Sequence, residues 1–487
     1  MALKIVNEFF IDTKKVIKME NDYGIPVYLV HTKQDDTIRL RAKISIALKP
    51  EYGFLLHLYE HLMFNKVVVG NSILENSTEV YKFAKKYNLD VNAYTEIDGI
   101  TVMVNVNRVK PVVESKYECS IGWIDTTKNF HLEEGIQLLY GLLFNRDLIT
   151  DQAIEKEISI VKSEMDTTRE DLYEAQFTAY NFVYKDSVDV LGETKDFDIV
   201  GLEQVKAIIK DLDSKLLNKE YISLMIGCNL KEYNQLSCYI EKYLNFNYNQ
   251  FDRTINGSVS EYINNSINYE LEPPSKLTSK LSTIVYEYDF KSDMQVEQVI
   301  ETLAYRRLLE HAICDIDYGI YNYVREIKTA AYGAYPLITT DYYNNLVDRN
   351  YFKTLVDNNA DTFKIPLVYY IPLNDSVIID DLIVDIKDFI SKLTISKEQY
   401  ETALKSYIND WCNIAYTYPS TDSILRYENL LYLFKNRCNL SQQYIIECMN
   451  KIYDVNNFSY NKLLAYLDDF KSKVKIYKIE GNEDELQ

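Results

Sequence analysis

No stretch of the sequence reaches the roughly 18 to 20 uninterrupted apolar residues that a membrane-spanning helix needs, so no span is expected. The first residues, MALKIVNEFFIDTKKVIKMEND, carry charge where a secretory leader has its apolar centre, and export by a conventional leader is not expected. The seven cysteines are odd in number, scattered, and form no CxxC pair. That pattern fits free thiols in a reducing, cytoplasmic setting better than a disulfide framework or a thiolate metal site. Fourteen glycines and nine prolines in 487 residues leave little for long disordered or repetitive tracts. Acidic residues outnumber basic ones, 73 to 53. The formal net charge of −20 argues against nucleic acid as a partner, because phosphate neutralisation needs a basic surface; it either serves solubility or attracts cationic ligands.

A chain of this length is too long for one ordinary core. Two regions stand out, 1–245 and 281–487, separated by 246–280, where YNQFDRTINGSVSEYINNSINYELEPPSK has the Asn, Ser, Gly and Pro content of a surface linker. In the first region, GIPVYLVHT and RLRAKISIAL alternate like half-buried strands. Leu89 to Val106 reads as one further strand bent at its middle. Helices are expected at Ser77–Lys86, Leu132–Phe144 and, capped by Thr150, from Thr150 to Glu174. The second region repeats the vocabulary: strands KLSTIVYEYDF, AAYGAYPLIT and KIPLVYYIPL, with helices over Gln295–Ile313 and Ile378–Leu393. Strand-helix alternation in two halves predicts an α+β protein built from a duplicated α/β unit.

Histidine is scarcer still, five in all, and two of them share the run FLLHLYEHLMFN. On a helix, positions i, i+3 and i+4 lie on one face, so His57, Glu60 and His61 converge. Two neutral imidazoles four residues apart can hold one zinc ion, and zinc acidifies a water whose proton the intervening carboxylate can accept. The surrounding Phe, Leu and Met residues predict a buried helix, on which a bare Glu must be paired or functional. His31, His131 and His311 show no ligand spacing, so a carboxylate is expected as third ligand. The acidic helix AIEKEISIVKSEMDTTRE offers Glu157 and Glu164, two helical turns apart.

With these residues in view, the sequence resembles the insulinase–pitrilysin metallopeptidases, whose inverted zinc motif HxxEH is matched by HLYEH. VNAYTEIDGITVMV is similar to that family's Asn-Ala-x-Thr strand, and LEEGIQLLYGLLFNRDLITDQAIEKEISIVKSEMD to its helix pair ending in the third ligand. GIYNYVREIKTAAYGAYP is similar to its Arg-x6-Tyr block. The resemblance implies His57, His61 and Glu164 as ligands of one Zn2+ per chain, Glu60 as general base and Glu157 as a supporting acid. It implies that Asn92 and Ala93 lie on an edge strand that receives an extended peptide, and that Arg325 and Tyr332 reach over from the second domain to grip substrate. The interval between His61 and Glu164 is long for the family, and the excess falls around NRVKPVVESKYECSIGWIDTTKNF, which reads as an inserted loop or hairpin.

The resemblance further implies two homologous α/β-sandwich domains forming half of a clamshell, closed by a second copy or a related subunit. The expected activity is zinc-dependent endopeptidase cleavage of unfolded or leader peptides inside a chamber. The alternative is a non-catalytic or partner-dependent subunit of a heterodimeric peptidase, for example one maturing a ribosomal peptide. Members of that kind typically lose part of the zinc motif, which is whole here.

Overall fold

In the computed structural model the described residues are 4–11, 14–21, 24–31, 37–108, 130–143, 149–168, 171–185, 189–215, 221–228, 262–264, 268–269, 271, 281–291, 295–338, 362–374, 376–416, 424–425, 428–429, 444 and 458–479. The loop expected between the Asn-Ala-x-Thr strand and the following helix falls mostly outside them. Contacts divide the chain into two units: Met1–Thr168 with Val188–Asn264 and Ala415–Thr421, and Arg169–Ser187 with Asn265–Ile414 and Asp422–Gln487. The chain therefore enters the second unit first at Arg169, well before the segment read as a linker. Among the described residues no helix is long and apolar enough to cross a membrane.

The first unit is built on a seven-stranded mixed sheet. Its strands are β1 (Lys4–Ile11), β2 (Lys14–Glu20), β3 (Pro26–His31), β4 (Thr37–Ser45), β7 (Leu89–Glu96), β8 (Gly99–Asn107) and β9 (Ile222–Cys228); a separate small hairpin pairs β5 (Val67–Val69) with β6 (Ser72–Leu74). The order is β1-β2-β3-β9-β4-β8-β7, with β9 parallel to β3 and antiparallel to β4. All seven residues of β9 are buried, as suits a central strand covered on both faces. Against this sheet lie α1 (Phe54–Met63), α2 (Ser77–Lys86) and α3 (Leu132–Leu143). Asn76 caps α2 by accepting from the Glu79 amide at 3.1 Å.

The bent strand expected over Leu89–Val106 is instead a hairpin. Its turn leaves the two strands in register from Leu89 opposite Val106 to Glu96 opposite Gly99. Lys43, fully buried on β4, ties down that turn: its ammonium lies 2.7 Å from Glu96 Oε2 and 2.8 Å from Asp98 Oδ1. Gly99 has φ +138, and a Cβ there would sit 1.8 Å from the Ile44 carbonyl oxygen. Gly99→Ala is accordingly expected to lower stability by about 3 kcal/mol. Urea unfolding measures this, and an unchanged midpoint would show that the turn relaxes without loss.

The helix expected as one piece over Thr150–Glu174 is two. Thr150 does cap the first, α4 (Asp151–Thr168), accepting from the Ala153 amide at 3.2 Å. The next, α5 (Asp171–Val183), packs on the sheet of the second unit. The first unit continues with α6 (Thr194–Val200), closed by a capping box between Glu193 and Asp196, and α7 (Leu202–Lys215).

The second unit holds a four-stranded antiparallel sheet of β10 (Leu281–Lys291), β11 (Tyr335–Ile338), β12 (Thr362–Pro372) and β13 (Lys475–Ile479), in the order β11-β12-β10-β13. Its described helices include α8 (Val296–Ile313), α9 (Ile379–Lys392), α10 (Lys397–Tyr416) and α11 (Tyr460–Lys473). Their apolar faces form one core with the sheet, in which Leu308, Leu309, Ile386, Leu463 and Phe470 meet Tyr286, Leu367 and Ile371. The protein is thus α+β, with a mixed sheet in one unit and an antiparallel sheet in the other, each packed with helices.

Candidate metal centre

Eight of the ten residues of α1 are buried, His57 among them, and Glu60 and His61 are partly covered. The sequence dictates this placement. Apolar side chains surround the helix, so it finds partners on every side: β7 and β8 of the sheet, α4, and α7, where the Tyr59 hydroxyl donates to Asp213 Oδ1 at 3.2 Å. Phe197 of α6 packs edge-to-face on Phe54 with centroids 4.7 Å apart, fixing the first turn. On α4, Ile154, Val161 and Met165 form the buried stripe. Glu157 falls within that stripe, and Glu164 lies beside its end.

The consequence is a cluster of three donors. His61 Nε2 lies 3.2 Å from Glu164 Oε2, and His57 Nε2 lies 3.8 Å from Glu164 Oε1. The two imidazole rings stand at 80° with centroids 4.8 Å apart. Among the described residues His57, His61 and Glu164 form a grouping able to hold a metal ion, with one ligand atom from each lying within 4.8 Å of the others. Tetrahedral zinc with bonds of about 2.0 to 2.1 Å needs donors roughly 3.3 Å apart, close to the separations from Glu164. His57 Nδ1 is buried without a hydrogen-bond partner among the described residues, and Nε2 is the ring nitrogen that faces Glu164.

Around the three donors stand groups that orient them. His61 Nδ1 lies 3.6 Å from Glu157 Oε2, leaving Nε2 toward Glu164. That is the carboxylate–histidine arrangement that sets the tautomer of a ligating ring. Glu157 is itself held by the Asn65 side-chain amide, which donates to Oε1 at 3.1 Å. Glu60 Oε2 accepts from the Thr95 hydroxyl of β7 at 2.7 Å.

Electrostatics separate the roles. Burial, with the neighbouring His61 charge, drives the His57 pKa down to about 4, so this ring is neutral at physiological pH. Burial also lowers His61, but the nearby carboxylates of Glu157, Glu164 and Glu60 outweigh it and raise the net value. Without a metal His61 thus favours a proton, which a cation must displace on binding. Burial raises the Glu60 carboxyl above its ordinary value against the Thr95 hydrogen bond. Three carboxylates around two imidazoles give a site with a net attraction for a divalent cation.

Asn92 and Ala93 lie on β7, the last strand of the sheet order, with Asn92 exposed and Ala93 buried. Arg325 and Tyr332 belong to the second unit, where they touch each other: the Arg325 guanidinium lies 4.6 Å from the centre of the Tyr332 ring. Sequence reasoning named the Asn-Ala-x-Thr strand but gave Thr95 no role. Its signal was the alternation along β7, which turns residue 95 to the same face as residue 93.

No family model matches the sequence, and no curated protein matches it. Solved structures do match in fold. A protease from Helicobacter pylori superposes with a TM-score of 0.58 at 12% identity, over 96% of this chain and 100% of that one. A peptidase M16 inactive domain from Pseudomonas fluorescens gives 0.53 at 11% identity, over 96% and 98%. Pitrilysin gives 0.51 at 13% identity over 99% of this chain but 46% of its own, so the chain spans about half the length of pitrilysin. The fold is that of M16-like peptidase structures, a class that includes both proteases and a domain described as inactive.

Proposed function

We propose that the chain is a zinc-dependent endopeptidase that cleaves unfolded peptides. The observation that carries the proposal is the convergence of His57, His61 and Glu164 with Glu60 beside them, on a fold that M16-like peptidases share. Zinc held by His57, His61 and Glu164 supplies Lewis acidity toward a peptide carbonyl and toward the attacking water.

The remaining work falls to the chain's own residues. Glu60 takes the proton of the attacking water at its carboxylate and passes one to the leaving amine. Thr95 fixes the rotamer of that carboxylate through the 2.7 Å hydrogen bond to Oε2. Glu157 keeps His61 in the tautomer that presents Nε2. The open side of β7, carrying Asn92 and Ala93, receives the substrate as an added strand whose backbone pairs with Ala93, so extended peptides are accepted in preference to folded proteins. Arg325 and Tyr332 are assigned to gripping the substrate and to the developing oxyanion. Pitrilysin is about twice as long as this chain, which supports a second copy or a related subunit as the other half of the assembly.

The purified chain is expected to hold about one zinc, read by elemental analysis, and to cut an unstructured basic peptide. A chain that holds zinc but cuts only after a related subunit is added would establish the partner-dependent version. A chain with neither zinc nor cleavage defeats the proposal. Thr95→Val is expected to lower kcat about tenfold with KM and zinc content unchanged, and Thr95→Ser to restore most of the loss. Equal loss in both variants would assign Thr95 to folding alone.

A further inference from the structure

Arg325 is held by more contacts than a partly exposed arginine needs. Its side chain is 37% exposed, yet Nε lies 3.1 Å from Glu326 Oε1 and Nη1 donates to the Tyr321 hydroxyl at 2.5 Å. The guanidinium also lies 5.6 Å from the centre of the Tyr321 ring and 4.6 Å from that of Tyr332. Arginine has several rotatable bonds, and ordering such a side chain is entropically unfavourable unless specific contacts hold it.

Several features of this stretch produce the arrangement. Tyr321 and Arg325 are four apart, and so share a helical face. Ile320–Asn322 forms a helical turn that widens into a π-turn over Tyr323–Ile327, closed by the Lys328 amide donating to the Tyr323 carbonyl at 2.9 Å. Single π-turns concentrate at functional sites. Thr329 then adopts φ +50, a conformation that a β-branched residue takes only under constraint. The chain turns there and brings Tyr332 to Arg325. Gly333 completes the set. A Cβ on it would lie 2.6 Å from Tyr321 Cε2 and 3.2 Å from Cδ2, so the missing side chain leaves room for the Tyr321 ring. Tyr332 is 70% exposed, so the pair it forms with Arg325 lies open to solvent.

We infer that Tyr321 is a positioning residue that clamps the Arg325 guanidinium, with Tyr332, so that its Nη2 is presented to a backbone carbonyl of an extended peptide. This rests on the peptidase reading above. Nε and Nη1 are engaged within the protein, whereas Nη2 has no partner among the described residues. Both N–H groups of Nη2 remain to donate to a carbonyl oxygen, and ordering the guanidinium in advance removes that loss from the binding step.

Two measurements test this. In the first, the intact chain is treated with phenylglyoxal and modification of Arg325 is followed by peptide mass spectrometry, which needs no activity. Tyr321→Phe, which loses only the hydroxyl, and Gly333→Ala, which displaces the ring without altering Tyr321 or Arg325, should each raise the Arg325 rate about threefold. Unchanged rates in both variants overturn the clamp.

In the second, a fluorescent unstructured basic peptide is bound to the Glu60→Gln chain. Tyr321→Phe should weaken binding about fivefold in that background, and by no further factor once Arg325 is Ala. Losses that add mean that Tyr321 acts independently of Arg325, which overturns the positioning role. If the reagent responds as expected but no peptide is bound or cut, even with a related subunit added, the peptidase reading falls along with the carbonyl-presenting role, while the clamp itself stands. If peptides are bound and cut but neither variant changes either readout, the clamp falls and the peptidase reading stands.

Discussion

Glu60→Gln is expected to reduce peptide cleavage at least about a thousandfold while leaving zinc content at the wild-type level. The substitution is isosteric, and its amide oxygen can still accept the Thr95 hydroxyl that now reaches Oε2 at 2.7 Å. What it removes is the ability to take a proton. A positioned general base contributes about 10² to 10⁴ in rate, and Glu60 is the carboxylate on the same face of α1 as the two histidines that is not itself a candidate ligand. Its burial raises its pKa above the ordinary carboxylate value, the direction that suits a base that must also hand the proton on. A quenched-fluorescence peptide assay, paired with elemental analysis of the same samples, gives both readouts. Retention of more than about a tenth of wild-type activity would remove Glu60 from the base position and move attention to Glu157, the other carboxylate packed against His61.

The parts of this site that local pattern can specify were legible in the sequence, and the parts made by tertiary packing were not. The spacing of His57, Glu60 and His61 places them on one helical face whatever surrounds the helix. The apolar background of α1 correctly implies burial, because a helix apolar on every side has no face to give to water. Glu157 and Glu164 share a face of α4 by the same arithmetic, but only packing separates them. Glu157 lies in the buried stripe near Asn65 and His61, whereas Glu164 stands at its rim facing both imidazoles.

The misreadings have equally local causes. The hairpin over Leu89–Val106 was legible in Asp98-Gly99, a strong turn signal between alternating strands; what the sequence does not show is that Lys43 from another strand holds the turn closed. The break between α4 and α5 carries neither Gly nor Pro and so has no punctuation to read. β1 and β2 interleave charged with apolar residues, which hides their strand pattern, yet KIVNEFFI and KKVIKME pair antiparallel from Lys4 opposite Glu20 to Ile11 opposite Lys14. Thr95 and Tyr321 share one lesson. Each acts through a hydroxyl whose partner, a carboxylate on α1 or a guanidinium one helical turn away, is set by three-dimensional placement rather than by residue type.

Glu164→Ala is expected to abolish zinc binding, and with it both cleavage and a zinc-dependent rise in melting temperature. The imidazoles lie on one helix and Glu164 on another, so a cation bound to all three ties α1 to α4. A ligand bound only by the folded state stabilises it by about 2.7 kcal/mol at a hundredfold excess over its Kd. For a unit of this size that is a rise of roughly 5 to 10 °C, which a chelator should reverse in the wild type. In Glu164→Ala two imidazoles remain, too few for the three protein ligands that a catalytic zinc usually keeps, and the melting temperature should become insensitive to zinc and chelator alike. Glu157→Ala provides the contrast. It leaves the three donors intact and removes only the carboxylate that orients His61, so zinc affinity should fall about 10- to 100-fold while saturating zinc still raises the melting temperature. The reverse ranking, with Glu157→Ala losing the metal and Glu164→Ala keeping it, would make Glu157 the ligand and Glu164 its support. Zinc retained in full by both variants would leave the histidine pair without a carboxylate ligand, and the hydrolytic reading of this fold without its centre.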